Sequence, residues 1–216
     1  MLVEIWSDIV CPWCAIGRKR FFAALERFEH ADAVEVRVRS FELDPNAPLA
    51  PEGTAAERLA AKYGTSLEQA RAMHANVTAL AAEEGLAFDY DRARPGNTFG
   101  AHRLLQLAWE RGVQPALKDR LMRAYFEEGE PISDPETLVR LGAEAGLDPD
   151  EARAALAGDA YAAEVREDEA TARGFGITGV PFFVLDRRLG VSGAQSPDVL
   201  LSALRQAWDT VAGEAA

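Results

Sequence analysis

Two cysteines, and only two, occur among the 216 residues, and they stand together in Cys11-Pro12-Trp13-Cys14. An apolar run, Leu2-Val3-Glu4-Ile5-Trp6 and then Ile9-Val10, precedes them and reads as a strand; Ala15 to Glu29 follows and reads as a helix. A Cys-x-x-Cys at a strand-to-helix junction is a redox signature. The spacing suits a reversible disulfide, with Cys11 exposed at the first helical turn and Cys14 one turn inward, within sulfur reach. Pro12 falls at the first helical position, where its missing N–H costs nothing.

That placement sets the chemistry. The thiolate is the reactive species, and the unpaired N–H groups and dipole of a helix start stabilise negative charge. Cys11 is therefore expected to have a lowered pKa and to act as nucleophile, with Cys14 as the resolving thiol. A metal site is the competing explanation. Two cysteines supply half a zinc site, and none of His30, His74 and His102 stands at finger spacing from them. No metal is expected.

Net charge is −12, which argues against nucleic-acid backbones and anionic membranes as partners. No run approaches 18 apolar residues, and the start has neither a basic segment nor an apolar stretch of signal length. The expectation is a cytoplasmic protein with no membrane partner. In a reducing compartment a disulfide is more readily catalytic than structural.

The chain reads strand, helix, strand at its start: Val34 to Arg39 alternates with period two, and the helical crossover predicts a parallel βαβ unit. Asp44-Pro45-Asn46-Ala47-Pro48 and Pro51-Glu52-Gly53 form a linker. From Thr54 to about Gly174 only helices are legible. Thr65-x-x-Glu68 reads as a capping box for a stripe of Leu67, Ala70, Met73, Val77 and Leu80, closed at Gly85. Asn97-Thr98 caps a helix to Gly112, and Pro115 opens one ending near Gly129. Ser133-x-x-Glu136, Asp148 and Asp159 open three more. Val180 to Leu185 and Leu189 to Ser192 then read as a hairpin about Asp186-Arg187. Ser196-Pro197-Asp198 starts a last helix with Leu200, Leu204, Trp208 and Val211 on one face. The predicted class is α/β: a central mixed sheet with flanking helices, 1–50 and 160–216, interrupted by an all-helical insertion, 51–159.

Three segments carry a resemblance over nearly the whole length: Ser7 to Cys14, Asn97-Thr98-Phe99-Gly100-Ala101-His102-Arg103, and Gly176-Ile177-Thr178-Gly179-Val180-Pro181-Phe182-Phe183, followed by Val191-Ser192-Gly193-Ala194-Gln195. In order and separation the chain resembles the DsbA-like thioredoxin superfamily, and within it the FrnE-like cytoplasmic branch. The resemblance implies a thioredoxin fold with a helical insertion and a thiol–disulfide oxidoreductase, DsbA-like, that binds no cofactor. Its partners would be protein or peptide thiols and disulfides, and its electrons would come from glutathione or a thioredoxin-type protein. It also implies that Pro181 is cis and lies beside the cysteines. Val180 could then offer its main chain to a partner peptide that adds as a short strand, whatever its side chains.

Other residues gain roles from the same resemblance. A buried acid under the second cysteine often relays its proton in this superfamily, and Glu4 could fill that place; a solvent-facing carboxylate is the plain alternative. The helix carrying His102 would lie over the active-site groove, where an imidazolium could stabilise the thiolate or contact substrate; a core histidine is the alternative. Trp13 stands where residue identity tunes thiol pKa and redox poise, and its ring offers partners an apolar contact. Asp8 would oppose a thiolate at Cys11 and is read as a turn or cap residue. The same fold also resembles kappa-class glutathione transferases and 2-hydroxychromene-2-carboxylate isomerases. Those relatives typically have serine where Cys11 stands and lack the second cysteine.

Overall fold

The computed structural model describes residues 1–214. It divides into two compact units, Met1–Leu43 with the chain from Glu167 onward, and Asp44–Arg166. These boundaries fall several residues inside the expected ones. The linker belongs to the helical unit because it is tied there: Asn97 donates its backbone N–H to the Pro48 carbonyl (3.1 Å) and its side-chain amide to that of Ala47 (3.2 Å). Ser133 Oγ donates to the Leu49 carbonyl at 2.5 Å.

The first unit is built on a four-stranded sheet in the order β2-β1-β3-β4, from β1 (Leu2–Ser7), β2 (Glu35–Ser40), β3 (Phe182–Leu185) and β4 (Leu189–Ser192). β1 pairs parallel with β2 and antiparallel with β3, and β3 antiparallel with β4, so the sheet is mixed. Helix α1 (Pro12–Leu25) connects β1 to β2. Alternation sorts β1 into two faces. Val3 and Ile5 join Phe21, Phe28, Phe183 and Leu204 in one core, where α1 and the last helix pack. Phe21 and Phe183 stack there at 5.4 Å, and each such buried phenyl contributes roughly 1.5–3 kcal/mol. Trp6 and Val184 join Ala172 and Ile177 on the opposite face.

The helical unit holds α2 (Ala55–Tyr63), α3 (Leu67–Glu83), α4 (Phe99–Glu110), α5 (Gln114–Arg123), α6 (Pro135–Glu144) and α7 (Pro149–Ala157). The chain leaves it within α8 (Ala162–Gly174), and α9 (Pro197–Glu214) closes the fold. Of the apolar face expected on α9, Leu200 and Leu204 are buried and Trp208 packs beside them; the side chain of Val211 lies outside the described residues.

Three local readings are corrected. The capping box of α3 is Ser66 with Gln69, one residue later than expected, and a second, Thr54 with Glu57, opens α2. The buried side of α3 is Ala70, Val77 and Ala81, while Leu67 and Met73 are exposed. Asp134, not Ser133, caps α6, because the Ser133 hydroxyl is committed to Leu49.

Candidate active site

Cys11 is the N-cap residue of α1, in extended backbone conformation, with Pro12 at the first helical position. Its carbonyl accepts from the N–H groups of Cys14 (3.0 Å) and Ala15 (3.3 Å). Its sulfur accepts from the Cys14 N–H at 3.3 Å. An N-cap side chain ordinarily satisfies one orphan helix N–H with oxygen; here a sulfur does so. Both cysteines are free thiols.

Cys11 is not exposed as expected. It is 3% exposed and Cys14 1%, and the half-exposed residue of the motif is Trp13, at 45%. The cause is the inward turn of the Cys11 side chain toward the Cys14 N–H and the Val180 carbonyl, to which its Sγ donates at 3.5 Å.

The expected lowered pKa is also corrected. The Cys11 thiol is pushed well above the ordinary thiol range, first by the hydrogen bond it shares with the Cys14 side chain. Burial and the Cys14 charge push the same way, with a smaller contribution from Asp8; only the Cys14 N–H lowers it. Both thiols sit at one helix start, where a negative charge on Cys14 opposes one on Cys11. Asp8 itself is buried, and its carboxylate accepts from the N–H groups of Ile9 (2.7 Å) and Leu43 (2.8 Å). It stands just before the turn at Ile9–Val10, where the sequence reading expects a turn or cap residue.

The Val180–Pro181 peptide bond is cis. The Pro181 carbonyl accepts from the Gly193 N–H at 2.8 Å. On the other side α1 comes close: a Cβ at Gly17 would lie 2.9 Å from Pro181 Cγ and 3.3 Å from Ala194 Cα. Arg20 donates from Nη1 to the Ala194 carbonyl at 2.8 Å. Gly17, Arg20 and the turn at Gly193–Gln195 were not among the residues selected from sequence for the site. The signal was available, since an interior helix glycine costs about 1 kcal/mol against alanine and so marks close packing.

Glu4 is not brought to the cysteines. It is fully buried but shares the Trp6 face of β1, whereas α1 packs on the face of Val3 and Ile5. Arg39 Nε donates to it at 2.7 Å and Arg187 Nε at 3.0 Å, with a further short contact from Arg39 Nη2. Arg39 also reaches Asp168 at 2.9 Å. Burial alone would raise the Glu4 pKa; the bonds and charges of Arg187 and Arg39 outweigh it and hold the carboxyl below its usual range.

His102 lies in the helical unit, fully buried on α4, its N–H donating to the Thr98 carbonyl at 3.0 Å. Arg103 of the same motif is bonded within that unit too. Arg103 donates to the carbonyls of Gly158 (2.6 Å), Ala160 (2.7 Å) and Ala155, around the end of α7. Among the described residues no cluster of three or more His, Cys, Asp or Glu side chains is placed to hold a metal ion, and no helix is long and apolar enough to cross a membrane.

A dithiol at the first turn of α1, beside a cis-proline loop and over a mixed four-stranded sheet, defines a thioredoxin-fold protein with a Cys-x-x-Cys centre. Residues 2–205 match the model of the DSBA-like thioredoxin domain, and the chain belongs to that family. A probable DsbA oxidoreductase from Streptomyces coelicolor is 53% identical with a TM-score of 0.92, the match covering 97% of this chain and 90% of that one. The cytosolic disulfide reductase DsbM from Pseudomonas aeruginosa, solved with GSH, is 21% identical (TM-score 0.64; 95% and 98% covered). A 2-hydroxychromene-2-carboxylate isomerase is 15% identical (TM-score 0.67; 99% and 98% covered). The last two share the fold.

Proposed function

We propose that this protein exchanges thiols and disulfides of proteins, peptides or small molecules through Cys11 and Cys14. The observation that carries the reading is the Cys11 sulfur at the N-cap of α1, facing both the Cys14 N–H and the Val180 carbonyl. The N–H stabilises the charge a nucleophilic sulfur must carry. The Val180 main chain stands next to that sulfur, where a partner peptide adding as a strand would bring its own disulfide.

In the reducing direction the Cys11 thiolate attacks one sulfur of the substrate disulfide. A mixed disulfide forms and one substrate thiolate leaves. The Cys14 thiolate then attacks the Cys11 sulfur, closing the Cys11–Cys14 disulfide and releasing the second substrate thiol. The substrate gains two electrons and the protein loses them. A dithiol of thioredoxin type, or two molecules of glutathione, restores the starting state; the oxidising direction runs the same steps backwards. Trp13, half exposed between the two cysteines, supplies an apolar contact for the partner. A cytoplasmic location fits this cycle, since reductants there regenerate the dithiol.

The test is the reduction potential of the Cys11–Cys14 pair, equilibrated in glutathione buffers, with Cys11→Ser as control. A value near −270 mV, about that of thioredoxin, assigns a reductase; one near −120 mV assigns an oxidant. Glutathione binding without a reversible disulfide would overturn the reading in favour of a glutathione-dependent isomerase or transferase.

A further inference from the structure

Helix α1 stays in contact with the Pro181 loop beyond Cys14. Gly17 and Arg20 follow Cys14 at intervals of three, the spacing at which side chains on a helix surface are neighbours. Gly17 leaves room for Pro181 and Ala194 to approach the helix, as the 2.9 and 3.3 Å distances from its missing Cβ show. One turn further, the Arg20 guanidinium takes the Ala194 carbonyl at 2.8 Å. The contacts then continue without a break. Gly193, next to Ala194, donates its N–H to the Pro181 carbonyl at 2.8 Å, and the preceding Val180 carbonyl receives Cys11 Sγ at 3.5 Å.

The turn needs such an anchor. It is closed on itself by bonds from the Gln195 N–H to the Gly193 carbonyl (3.0 Å) and from the Gln195 side chain to the Ser192 carbonyl (2.8 Å). Those bonds shape the turn but do not fix it to α1. A guanidinium donor is charged and rigid, and bonds of this kind are about twice as strong as neutral ones.

We propose that Arg20 is a positioning residue for disulfide exchange: it holds the Gly193–Gln195 turn against α1, and that turn holds Val180 and Pro181 at the Cys11 sulfur. The inference rests on the function proposed above. Arg20 touches no reacting atom, so its loss acts in two ways at a distance. A displaced Val180 main chain binds a partner strand less well. A displaced Val180 carbonyl no longer accepts the Cys11 S–H, and losing a bond to the neutral form favours the thiolate.

The experiment compares full-length wild type, Arg20→Met, Arg20→Lys and Arg27→Met. Arg27 pairs with Asp198 on the surface and serves as a control just past the same helix. Two readouts are taken: KM and kcat for reduction of a fluorogenic peptide disulfide, and the pH profile of Cys11 alkylation by iodoacetamide, read by mass spectrometry. Arg20→Met is expected to raise KM several-fold with a much smaller change in kcat, and to move the alkylation profile to lower pH. Arg20→Lys recovers most of both effects, and Arg27→Met shows neither. Should Arg20→Met not fold, Arg20→Gln, too short to reach Ala194, carries the same expectation. A variant that loses thermal stability while KM and the alkylation profile match wild type would overturn the proposal. A wild type that exchanges no disulfide overturns the proposed function instead; the alkylation profile needs no turnover and still decides the role of Arg20.

Discussion

The backbone N–H of Cys14 lies 3.3 Å from the sulfur of Cys11, while the side chain of the same residue presses the Cys11 pKa upward. One residue thus acts in two opposed ways, and substitution separates them. Cys14→Ala removes the thiol, its hydrogen bond and its charge, but keeps the N–H. The Cys11 thiol should therefore titrate at lower pH in Cys14→Ala than in wild type, as read by alkylation of the Cys11 peptide across pH. An unchanged profile would mean that burial, not the second thiol, holds Cys11 up. The sign for stability follows by linkage. A folded pKa raised above the ordinary thiol value of about 8.5 stabilises the reduced protein below that pH, and the contribution is lost as pH rises through the folded value. Denaturation of the reduced protein should therefore become easier at alkaline pH, less so in Cys14→Ala.

Trp13 carries the largest apolar surface next to the cysteines, and at 45% exposure it contributes little to the core. Trp13→Ala should leave stability within about 0.5 kcal/mol, the usual range for a surface change. It should raise KM for peptide disulfides with apolar residues beside the cysteine, and leave KM for hydrophilic ones nearly unaltered. A uniform change in kcat across both peptide classes would instead place Trp13 in redox tuning.

The elements around the site were legible because each has a short-range signature. Period-two alternation marked β2, the Cys-x-x-Cys fixed the start of α1, and the pair of short apolar runs about Asp186-Arg187 marked β3 and β4. Caps were misread by one residue for a physical reason. Thr65-x-x-Glu68 and Ser66-x-x-Gln69 both satisfy the capping pattern, and only the path of the backbone chooses between them. The destination of Glu4 was illegible, because Arg39 and Arg187 stand 35 and 183 positions away. A carboxylate in a central strand announces that a partner exists but not which one. The resemblance to relatives suggested a cysteine; instead β2, paired parallel with β1, brings Arg39 to Glu4, and the turn between β3 and β4 brings Arg187.

Glu4→Gln tests that assignment. It removes the charge between Arg39 and Arg187 and leaves Arg39 to Asp168 alone. Breaking a buried pair from one side costs about 3 kcal/mol, measurable by urea denaturation. Because the folded carboxyl lies below its usual range, its stabilisation is present above the unfolded value of about 4.3 and is lost as pH falls through the folded one. Wild type should lose stability in that acidic window, and the variant should lose less. Disulfide exchange should be unchanged in the variant; a slowed resolving step would restore Glu4 as a proton relay for Cys14.

Two glycines in the helical unit separate backbone strain from crowding. Gly64, just after α2, and Gly129, after the π-helical turn Ala124–Glu128, have nearly the same left-handed backbone, with φ of 62° and 70°. A side chain at Gly64 would meet nothing within 4 Å, whereas a Cβ at Gly129 would lie 2.5 Å from the Arg92 carbonyl oxygen and 2.9 Å from Arg92 Cβ. Gly64→Ala should cost about 1 kcal/mol, the left-handed penalty alone. Gly129→Ala must in addition displace the 89–92 segment, which is held by the bond from the Asp89 N–H to the Phe126 carbonyl at 2.7 Å. Its cost should exceed that of Gly64→Ala by about 1–3 kcal/mol, as for other overpacked sites. Equal costs in denaturant titrations would show that the Arg92 segment yields freely and that its contact with Gly129 does not constrain the helical unit.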